Sequence, residues 1–201
     1  MGIGHEINTW GGVLVLSCTT LFLLTIMGCQ SGEEGGGIAL EEVGHASAVQ
    51  NDVMAGEFNK LFQDGEVYFA GLPTEAGLRT AEKRGVGLVI NVISEPESTT
   101  RIAFDEEKVV EGLGMKYVFI PVTPGSFSVG DVDEFAAALS TMGDGEKVLI
   151  HCASSNRAGG IWAAYLARKL GMNEDDALAR GREAGLNRES MVGAVKRVIE
   201  E

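Results

Sequence analysis

The stretch VLIHCASSNRAGG, residues 148–160, decides the fold of this chain. It begins with apolar residues typical of a buried strand and reaches the pair His151-Cys152. Small polar residues then lead to Arg157 and into a segment whose apolar residues recur at helical spacing. A strand that passes directly into a helix is typical of a parallel sheet, and ligands of such sheets bind at the carboxyl ends of the strands. Cys152 therefore lies where a functional site is expected.

Apolar segments and helical patterns alternate along the chain around this stretch. The predicted strands are 67–71, 86–93, 116–122 and 147–151, and the predicted helices are 75–84, 103–113, 131–142, 158–170, 174–184 and 188–200. A polar loop is expected over residues 94–102. Because the strands are apolar throughout, they are expected to be buried on both faces. We predict an α/β fold in which helices flank a parallel sheet, with the domain at 63–201 and a flexible tether and approach at 29–62.

The residues between Cys152 and Arg157 indicate an anion-binding loop. Backbone N–H groups converge where a strand turns into a helix, and with the helix dipole they stabilise a thiolate or a bound oxyanion. Arg157 offers a planar guanidinium that can bind two oxygens of such an anion. His151 is predicted to orient the loop by hydrogen bonding. The intervening residues are small enough for the backbone to curl around an anion, and they are Ala153, Ser154, Ser155 and Asn156.

The charge balance limits the partners of the protein. The net charge is −13, from 29 acidic and 16 basic residues, which argues against nucleic-acid binding through bulk positive charge. An anionic substrate must therefore be held by a local arrangement of donors. The histidines His5, His45 and His151 are scattered and show no ligand spacing, so neither a metal nor an organic cofactor is expected.

Residues 1–28 are predicted to form a signal peptide or a membrane anchor. Residues 13–27 are mostly apolar, which suits the hydrophobic region of a signal peptide but is short against the roughly 20 residues that span a membrane. Gly28-Cys29, followed by a Gly- and Ser-rich stretch, resembles the lipobox of bacterial lipoproteins. The resemblance implies cleavage before Cys29 and a lipid anchor on that residue. The alternative is an uncleaved anchor over residues 10–28.

Either arrangement places the domain at a membrane surface of the bacterial cell envelope, in the periplasm or elsewhere outside the cytoplasm. Cys18 lies in the apolar segment and Cys29 is the candidate lipid site, so Cys152 is the single thiol of the mature domain. A disulfide within the domain or a zinc site built on cysteines is then not possible. The alternative is that Cys152 has only a structural role as a small buried core residue, which is the role of most free cysteines.

Five segments carry a family resemblance, and they are FAGLPT (69–74), VINV (89–92), GMKYVFIPV (114–122), HCASSNR (151–157) and GREAGL (181–186). From about Glu66 to Leu186 the chain resembles the bacterial protein-tyrosine-phosphatase-like family, the phosphatase-like domain of beta-lactamase hydrolase-like proteins. The resemblance implies the cysteine-phosphatase α/β fold. It also implies that Cys152 is a nucleophile that forms a phosphocysteine, while Arg157 and the amides of residues 153–157 hold the phosphate of a phosphorylated protein or a small phosphate ester.

The loop departs from the best-known phosphatase signature in three ways. Four residues rather than five separate Cys152 from Arg157, a shortening that members of this family commonly share. Ser155 stands where many relatives have glycine, so a Cβ is expected where the backbone needs an unusual φ. Ala158 stands where phosphatases usually carry Ser or Thr to assist the departing thiolate.

A phosphatase also needs an acid that protonates the leaving oxygen. The resemblance places that acid in the loop after the third strand, residues 121–133, where Asp131 is the candidate and Asp133 is the other acid. The alternative is that the acids of 130–134 stabilise the first turn of a helix, which requires no catalysis.

Two other functions remain open on the sequence. Sulfurtransferases of the rhodanese type use a cysteine with a six-residue loop, which is the length from Cys152 through Arg157, and they carry sulfur as a persulfide without a general acid. The second alternative is a module that binds oxyanions with little or no turnover. Ser155 and Ala158 favour that alternative.

Overall fold

The strand that leads to Cys152 lies inside a six-stranded sheet. The computed structural model describes Ile38 and residues 43–49 and 54–201. The strands are β1 (Ser47–Ala48), β2 (Leu61–Asp64), β3 (Val67–Ala70), β4 (Val86–Asn91), β5 (Lys116–Phe119) and β6 (Lys147–His151). The helices are α1 (Glu75–Lys83), α2 (Glu95–Arg101), α3 (Glu106–Gly112), α4 (Val129–Leu139), α5 (Asn156–Arg168), α6 (Glu174–Glu183) and α7 (Glu189–Glu200), with a short 3-10 helix at Met54–Gly56. The order across the sheet is β1-β2-β3-β6-β4-β5.

The predicted α/β fold is confirmed, with one addition at the edge of the sheet. Strands β3, β6, β4 and β5 pair in parallel, whereas β2 pairs antiparallel with β3 and β1 pairs antiparallel with β2. The sequence pattern predicted a parallel sheet only, and it did not include β1 or β2. They were missed because β1 has two residues, and β2 contains Gln63 and Asp64, which interrupt its apolar pattern.

The polar segment 94–102, predicted to be a loop, contains helix α2 instead. Ser94 is its N-cap residue, and Pro96 lies in its first turn, a position where proline suits a helix. Glu95 and Glu97 lie at the positive end of the helix dipole. None of the residues of α2 is buried, so the helix lacks the apolar periodicity from which the other helices were predicted.

Alternation along β6 divides His151 and Cys152 between the two faces of the sheet. Val148 and Ile150 belong to the core formed with α4, α5, α6 and α7, whereas Leu149 packs in a second core with α1 and α3. Successive side chains of a strand point to opposite faces. His151 is therefore on the α3 side, and Cys152 belongs to the core on the α5 side.

Part of the approach segment contacts the domain. The carbonyl oxygen of Ile38 accepts a hydrogen bond from the Tyr165 hydroxyl at 3.2 Å, and β1 pairs with β2. The predicted signal peptide or anchor and Cys29 lie outside the described residues. In the part of the chain that the structure describes, no helix is both long and apolar enough to cross a membrane.

Helices α5 and α6 approach each other at two glycines. A Cβ added to Gly181 would lie 2.7 Å from the carbonyl oxygen of Gly159, and one added to Gly159 would contact the Gly181 carbonyl oxygen and lie 2.7 Å from the Leu186 amide nitrogen. The atoms in the way are backbone atoms, which cannot rotate aside. This close contact holds the segment after α6 against the start of α5, where the Cys152 loop ends.

Gly159→Ala is therefore expected to lower the free energy of unfolding by about 3 kcal/mol, at the upper end of the usual cost of overpacking. The control is Gly193→Ala in α7, where an added Cβ meets no atom within 4 Å. Because alanine is the better helix former, this control is expected to raise stability by about 0.5–1 kcal/mol. Urea unfolding of the full-length chain measures both. Equal stability of Gly159→Ala and wild type would contradict the backbone contact.

Candidate active site

The loop from Cys152 to Arg157 contains one residue in a strained conformation. Ser155 has a φ of 67°, the only positive φ of a non-glycine residue among the described residues. The expectation that the Cβ at this position meets an unusual φ is confirmed. Two contacts hold Ser155 in place: its hydroxyl donates a 2.7 Å hydrogen bond to the Ala184 carbonyl, and its Cβ packs on Gly185, where a Cβ would lie only 2.8 Å away.

Replacing Ser155 by alanine or by glycine is expected to separate the strain from the hydrogen bond. Ser155→Ala keeps the strain and leaves the buried Ala184 carbonyl without its donor, at a cost of about 1–3 kcal/mol. Ser155→Gly loses the same bond but removes a left-handed strain of about 1–2 kcal/mol. We expect the glycine variant to be the more stable of the two by about 1 kcal/mol in urea unfolding. The reverse order would show that Ser155 is not strained.

Arg157 is held in one orientation by two contacts on a single nitrogen. Its Nη1 donates to Glu97 Oε2 at 2.6 Å and to the carbonyl oxygen of Val122 at 3.3 Å. The hydrogen bonds of Arg157 to other described residues all use Nη1, so the Nε and Nη2 edge of the guanidinium is available for a ligand. The Arg157 side chain is only 12% exposed. This geometry suits bidentate binding of a tetrahedral oxyanion.

Glu97 is the partner that the sequence interpretation did not single out. The hydrogen bond from Arg157, with further bonds from Ser94 and Arg101, lowers the pKa of Glu97 from 4.5 to about 2. The Ser94 hydroxyl donates to the same Oε2 atom at 2.5 Å, and Arg101 Nη1 lies 3.4 Å from Oε1. The spacing Ser-x-x-Glu at 94–97 is a signal for the start of a helix, and it was overlooked within a segment interpreted as a loop.

Glu97→Gln is expected to destabilise the protein in a pH-dependent way. Because the pKa of Glu97 is lowered in the folded state, its ionisation contributes stability that is fully present above about pH 4.5 and is lost as the pH falls towards 2. The difference in unfolding free energy between wild type and Glu97→Gln should thus be largest near pH 7 and shrink at pH 3. Glu75→Gln, which removes an exposed pair with Arg79 at 3.6 Å, is the control and should show little difference at either pH. A pH-independent difference for Glu97→Gln would contradict the pairing.

A cleft of about 470 Å³ opens beside this arginine. Its lining comes from the loop, from α2, from the segment after β5, from the start of α7 and from the segment before β2. The lining residues are Asn59, Glu97, Arg101, Thr123, Pro124, Ala153, Ser154, Asn156, Arg157, Arg188 and Ser190. The predicted binding residues Ala153, Ser154, Asn156 and Arg157 are therefore brought together. Ser155 is buried behind them and does not line the cleft.

Asn156 connects the loop to the start of α7. Its Oδ1 accepts hydrogen bonds from the backbone N–H groups of Asn187 and Arg188, both at 2.9 Å. On the other side, the Asn59 side chain donates to the Ala153 carbonyl at 3.3 Å. These bonds join the loop to distant parts of the chain and keep its backbone curled.

Cys152 lies at the base of the loop and is fully buried. Its backbone N–H donates to the Ala70 carbonyl at 3.2 Å, which continues the ladder between β6 and β3. Cys152 is not among the cleft-lining residues, although the next residue, Ala153, is. Cys152 is therefore next in the chain to a cleft-lining residue, and its side chain is not open to solvent.

His151 lies on the opposite side of the sheet, in a buried polar cluster. Its Nε2 is 2.7 Å from Glu106 Oε1, but neither ring nitrogen makes a hydrogen bond of good geometry in the described part of the chain. The other Glu106 oxygen accepts from Asn91 at 2.7 Å and from the Tyr117 hydroxyl at 3.2 Å. Burial, followed by the neighbouring Glu106 charge, raises the pKa of Tyr117 well above its usual value. The predicted loop-orienting hydrogen bond from His151 is not present in this arrangement.

Asp131 forms a capping box at the start of α4. Its Oδ2 accepts from the backbone N–H of Ser128 at 2.8 Å, and the Ser128 hydroxyl bonds to it at 2.9 Å. The segment after β5 contributes Thr123 and Pro124 to the cleft, and Asp131 is not among the lining residues. Asp133 pairs with Lys169 at 2.6 Å. The role of Asp131 as general acid stays a prediction.

The chain resembles a known protein family over its central part, slightly less than half of its length. Residues 72–168 match the family model described as "Beta-lactamase hydrolase-like protein, phosphatase-like domain". The match includes Glu97 of α2 and the whole loop from Cys152 to Arg157. It confirms the family resemblance inferred from the sequence. No curated protein matches the chain.

Several solved structures have the same fold. A DUF442 protein from Shewanella putrefaciens CN-32, described as a candidate phosphatase, is 28% identical with a TM-score of 0.57, and the alignment covers 72% of this chain and 94% of that one. P. aeruginosa TpbA is 18% identical with a TM-score of 0.58, covering 78% and 89%. A TpbA variant in complex with phosphotyrosine is 17% identical with a TM-score of 0.56, covering 76% and 88%. The chain thus has the α/β fold of the cysteine phosphatases.

Proposed function

We propose that this phosphatase-like domain hydrolyses phosphate monoesters through a phosphocysteine on Cys152. The observation that carries the proposal is the orientation of Arg157, whose free guanidinium edge is held beside the loop by Glu97 and Val122. The match of residues 72–168 to the phosphatase-like family supports the same reaction. The phosphotyrosine bound to the TpbA variant supports a phosphate ester, such as a phosphorylated protein or a small molecule, as the substrate class.

The reaction consists of two displacements at phosphorus. In the first, the Cys152 thiolate attacks, an S–P bond forms, and the P–O bond to the ester oxygen breaks. The leaving oxygen keeps the bonding electron pair and takes a proton from an acid or from water. In the second, water attacks phosphorus, the S–P bond breaks, and inorganic phosphate and the thiolate are released. Arg157 and the N–H groups at the start of α5 stabilise the negative charge on the phosphoryl oxygens in both steps.

A paired assay on the purified full-length chain tests the proposal. We expect hydrolysis of p-nitrophenyl phosphate, and no transfer of sulfur from thiosulfate to cyanide. Because p-nitrophenolate leaves readily without protonation, this substrate reports on the loop even where a general acid contributes little. Rapid sulfur transfer with no phosphate release would overturn the phosphatase proposal and favour the rhodanese-type alternative.

The second candidate function is a module that binds oxyanions without turnover. The observation that favours it is the complete burial of Cys152, together with a cleft whose one acidic lining residue, Glu97, has a pKa of about 2 and holds no proton at neutral pH. If neither assay shows turnover while vanadate binds in an Arg157-dependent manner, this second function is the correct one.

We also propose that Cys29 carries a lipid that anchors the chain to a membrane of the cell envelope. The Gly28-Cys29 pair after an apolar segment supports this proposal. Cys29→Ala is expected to move the protein from the membrane fraction to the soluble fraction of the producing bacterium. Unchanged retention in the membrane would favour the uncleaved anchor over residues 10–28.

A further inference from the structure

The cleft beside Arg157 is positively charged in a strongly acidic protein. Three arginines line it, Arg101, Arg157 and Arg188, against the single acid Glu97. The chain as a whole has a net charge of −13. A concentration of arginines at one cleft of such a chain produces a local field that favours anionic ligands.

The three arginines lie at different depths. The Arg157 side chain is 12% exposed and adjoins the loop, whereas the Arg101 side chain is 46% exposed and Arg188 is exposed. Arg157 is therefore the inner cation, and the other two belong to the rim of the cleft. A phosphoryl group bound at Arg157 would direct its ester substituent towards that rim.

The positive charges of the two rim arginines, Arg101 and Arg188, are little compensated by carboxylates of the protein. Arg101 has only a long contact with Glu97, 3.4 Å, and that carboxylate already binds Arg157 at 2.6 Å. Within the described ranges the Arg188 guanidinium makes no ion pair and no hydrogen bond. Its backbone is nevertheless anchored, because the N–H of Arg188 donates to Asn156 Oδ1 at 2.9 Å, next to Arg157 in the chain. Arg188 thus keeps a defined place relative to the loop.

From these positions we propose that the cleft contains a second anion subsite, formed by Arg188 with Arg101, that binds a carboxylate or a further phosphate on the substrate. The proposal rests on the proposed function, and it specifies the substrate class as phosphate monoesters whose organic part carries a second negative charge. A cleft of about 470 Å³ is in the size range of sites that bind whole small molecules rather than a single ion.

Two esters of matched shape test the subsite by turnover. The esters are 3-carboxyphenyl phosphate and 3-carbamoylphenyl phosphate, which differ by one negative charge. We expect kcat/KM of wild type at low salt to be about five-fold higher for the carboxylate ester than for the carbamoyl ester, which is the size of effect expected from one exposed ion pair. This ratio of the two kcat/KM values should shrink at high salt. The ratio should fall towards one in Arg188→Gln and in the double variant Arg101→Gln/Arg188→Gln. The control Arg79→Gln, on the surface of α1, should keep it.

A binding experiment separates failure of the subsite from failure of the proposed function. Calorimetry with phosphonoacetate and methylphosphonate, which are not phosphate esters, should show about five-fold tighter binding of phosphonoacetate, and this preference should be lost in Arg188→Gln. If neither ester is hydrolysed but this preference is present and depends on Arg188, the subsite stands and the phosphatase proposal fails. If wild type hydrolyses both esters equally well, or if the preference survives in the double variant, the subsite proposal is overturned.

Discussion

Cys152→Ser is expected to lower kcat for p-nitrophenyl phosphate by about 10⁴-fold or more, the scale of effect seen when a nucleophile is removed. His151 cannot act as the base for a serine hydroxyl in this loop, because it lies on the other face of the sheet beside Glu106. The substitution changes one buried atom, so the Arg157 contacts should persist. We therefore expect the variant to bind vanadate within a few-fold of wild type while turnover is lost.

The control for Cys152→Ser is a buried hydroxyl elsewhere in the same core. Ala164 of α5 is fully buried, so Ala164→Ser introduces a hydroxyl into the core away from the cleft. It is expected to lower the unfolding temperature and to leave kcat close to that of wild type. Steady-state kinetics and thermal unfolding of the two variants separate chemistry from packing. Retention of more than about one hundredth of the activity by Cys152→Ser would exclude Cys152 as the nucleophile.

Arg157→Lys is expected to lower kcat/KM by about 10²–10³-fold, the loss typical of removing one preorganised donor to a developing oxyanion. A lysine ammonium is a point charge and cannot bind Glu97 and the Val122 carbonyl with one nitrogen while presenting a planar edge to phosphate. The loss should therefore be large although the charge is conserved. Vanadate affinity should fall together with kcat/KM.

Arg168→Lys is the matched control for Arg157→Lys. Arg168 is also in α5, and its Nη1 also donates to backbone carbonyls, at 2.8 Å to Val198 and 3.4 Å to Ile199. It lies at the other end of the helix and does not line the cleft. We expect Arg168→Lys to lower stability slightly and to leave kcat/KM unchanged. Equal losses in the two variants would mean that Arg157 acts through the stability of α5 rather than at the cleft.

Patterns in the sequence predicted those parts of the fold that depend on residues close together in the chain. The apolar runs at 86–93 and 147–151 became central parallel strands because only a strand buried on both faces is apolar throughout. The left-handed φ at residue 155 was also predictable, from a family resemblance at one position. Helix α2 was missed because none of its residues is buried, so capping and dipole effects alone mark its start.

Two residue roles could not be decided from the sequence, because the same local pattern suits both a structural and a catalytic role. An acid three residues after a serine suits both a helix cap and a proton donor, and the structure shows Asp131 in the cap. A cysteine at the end of a strand suits both a core and a nucleophile, and here Cys152 is fully buried while its neighbour in the chain, Ala153, lines the cleft. The assays proposed for Cys152 address the second ambiguity directly.

The sequence by itself determined the order strand, cysteine, small loop, arginine and helix, because periodicity and turn chemistry act over a few residues. Only the tertiary structure decided what surrounds that loop. Glu97 reaches Arg157 across 60 positions of sequence, and Arg188 is joined to Asn156 across 32. Such contacts depend on how helices pack over the sheet, for example at Gly159 and Gly181, and no local pattern encodes them. The anion-binding loop was therefore predictable, whereas the contacts that orient Arg157 and the positive charge at the rim of the cleft were not.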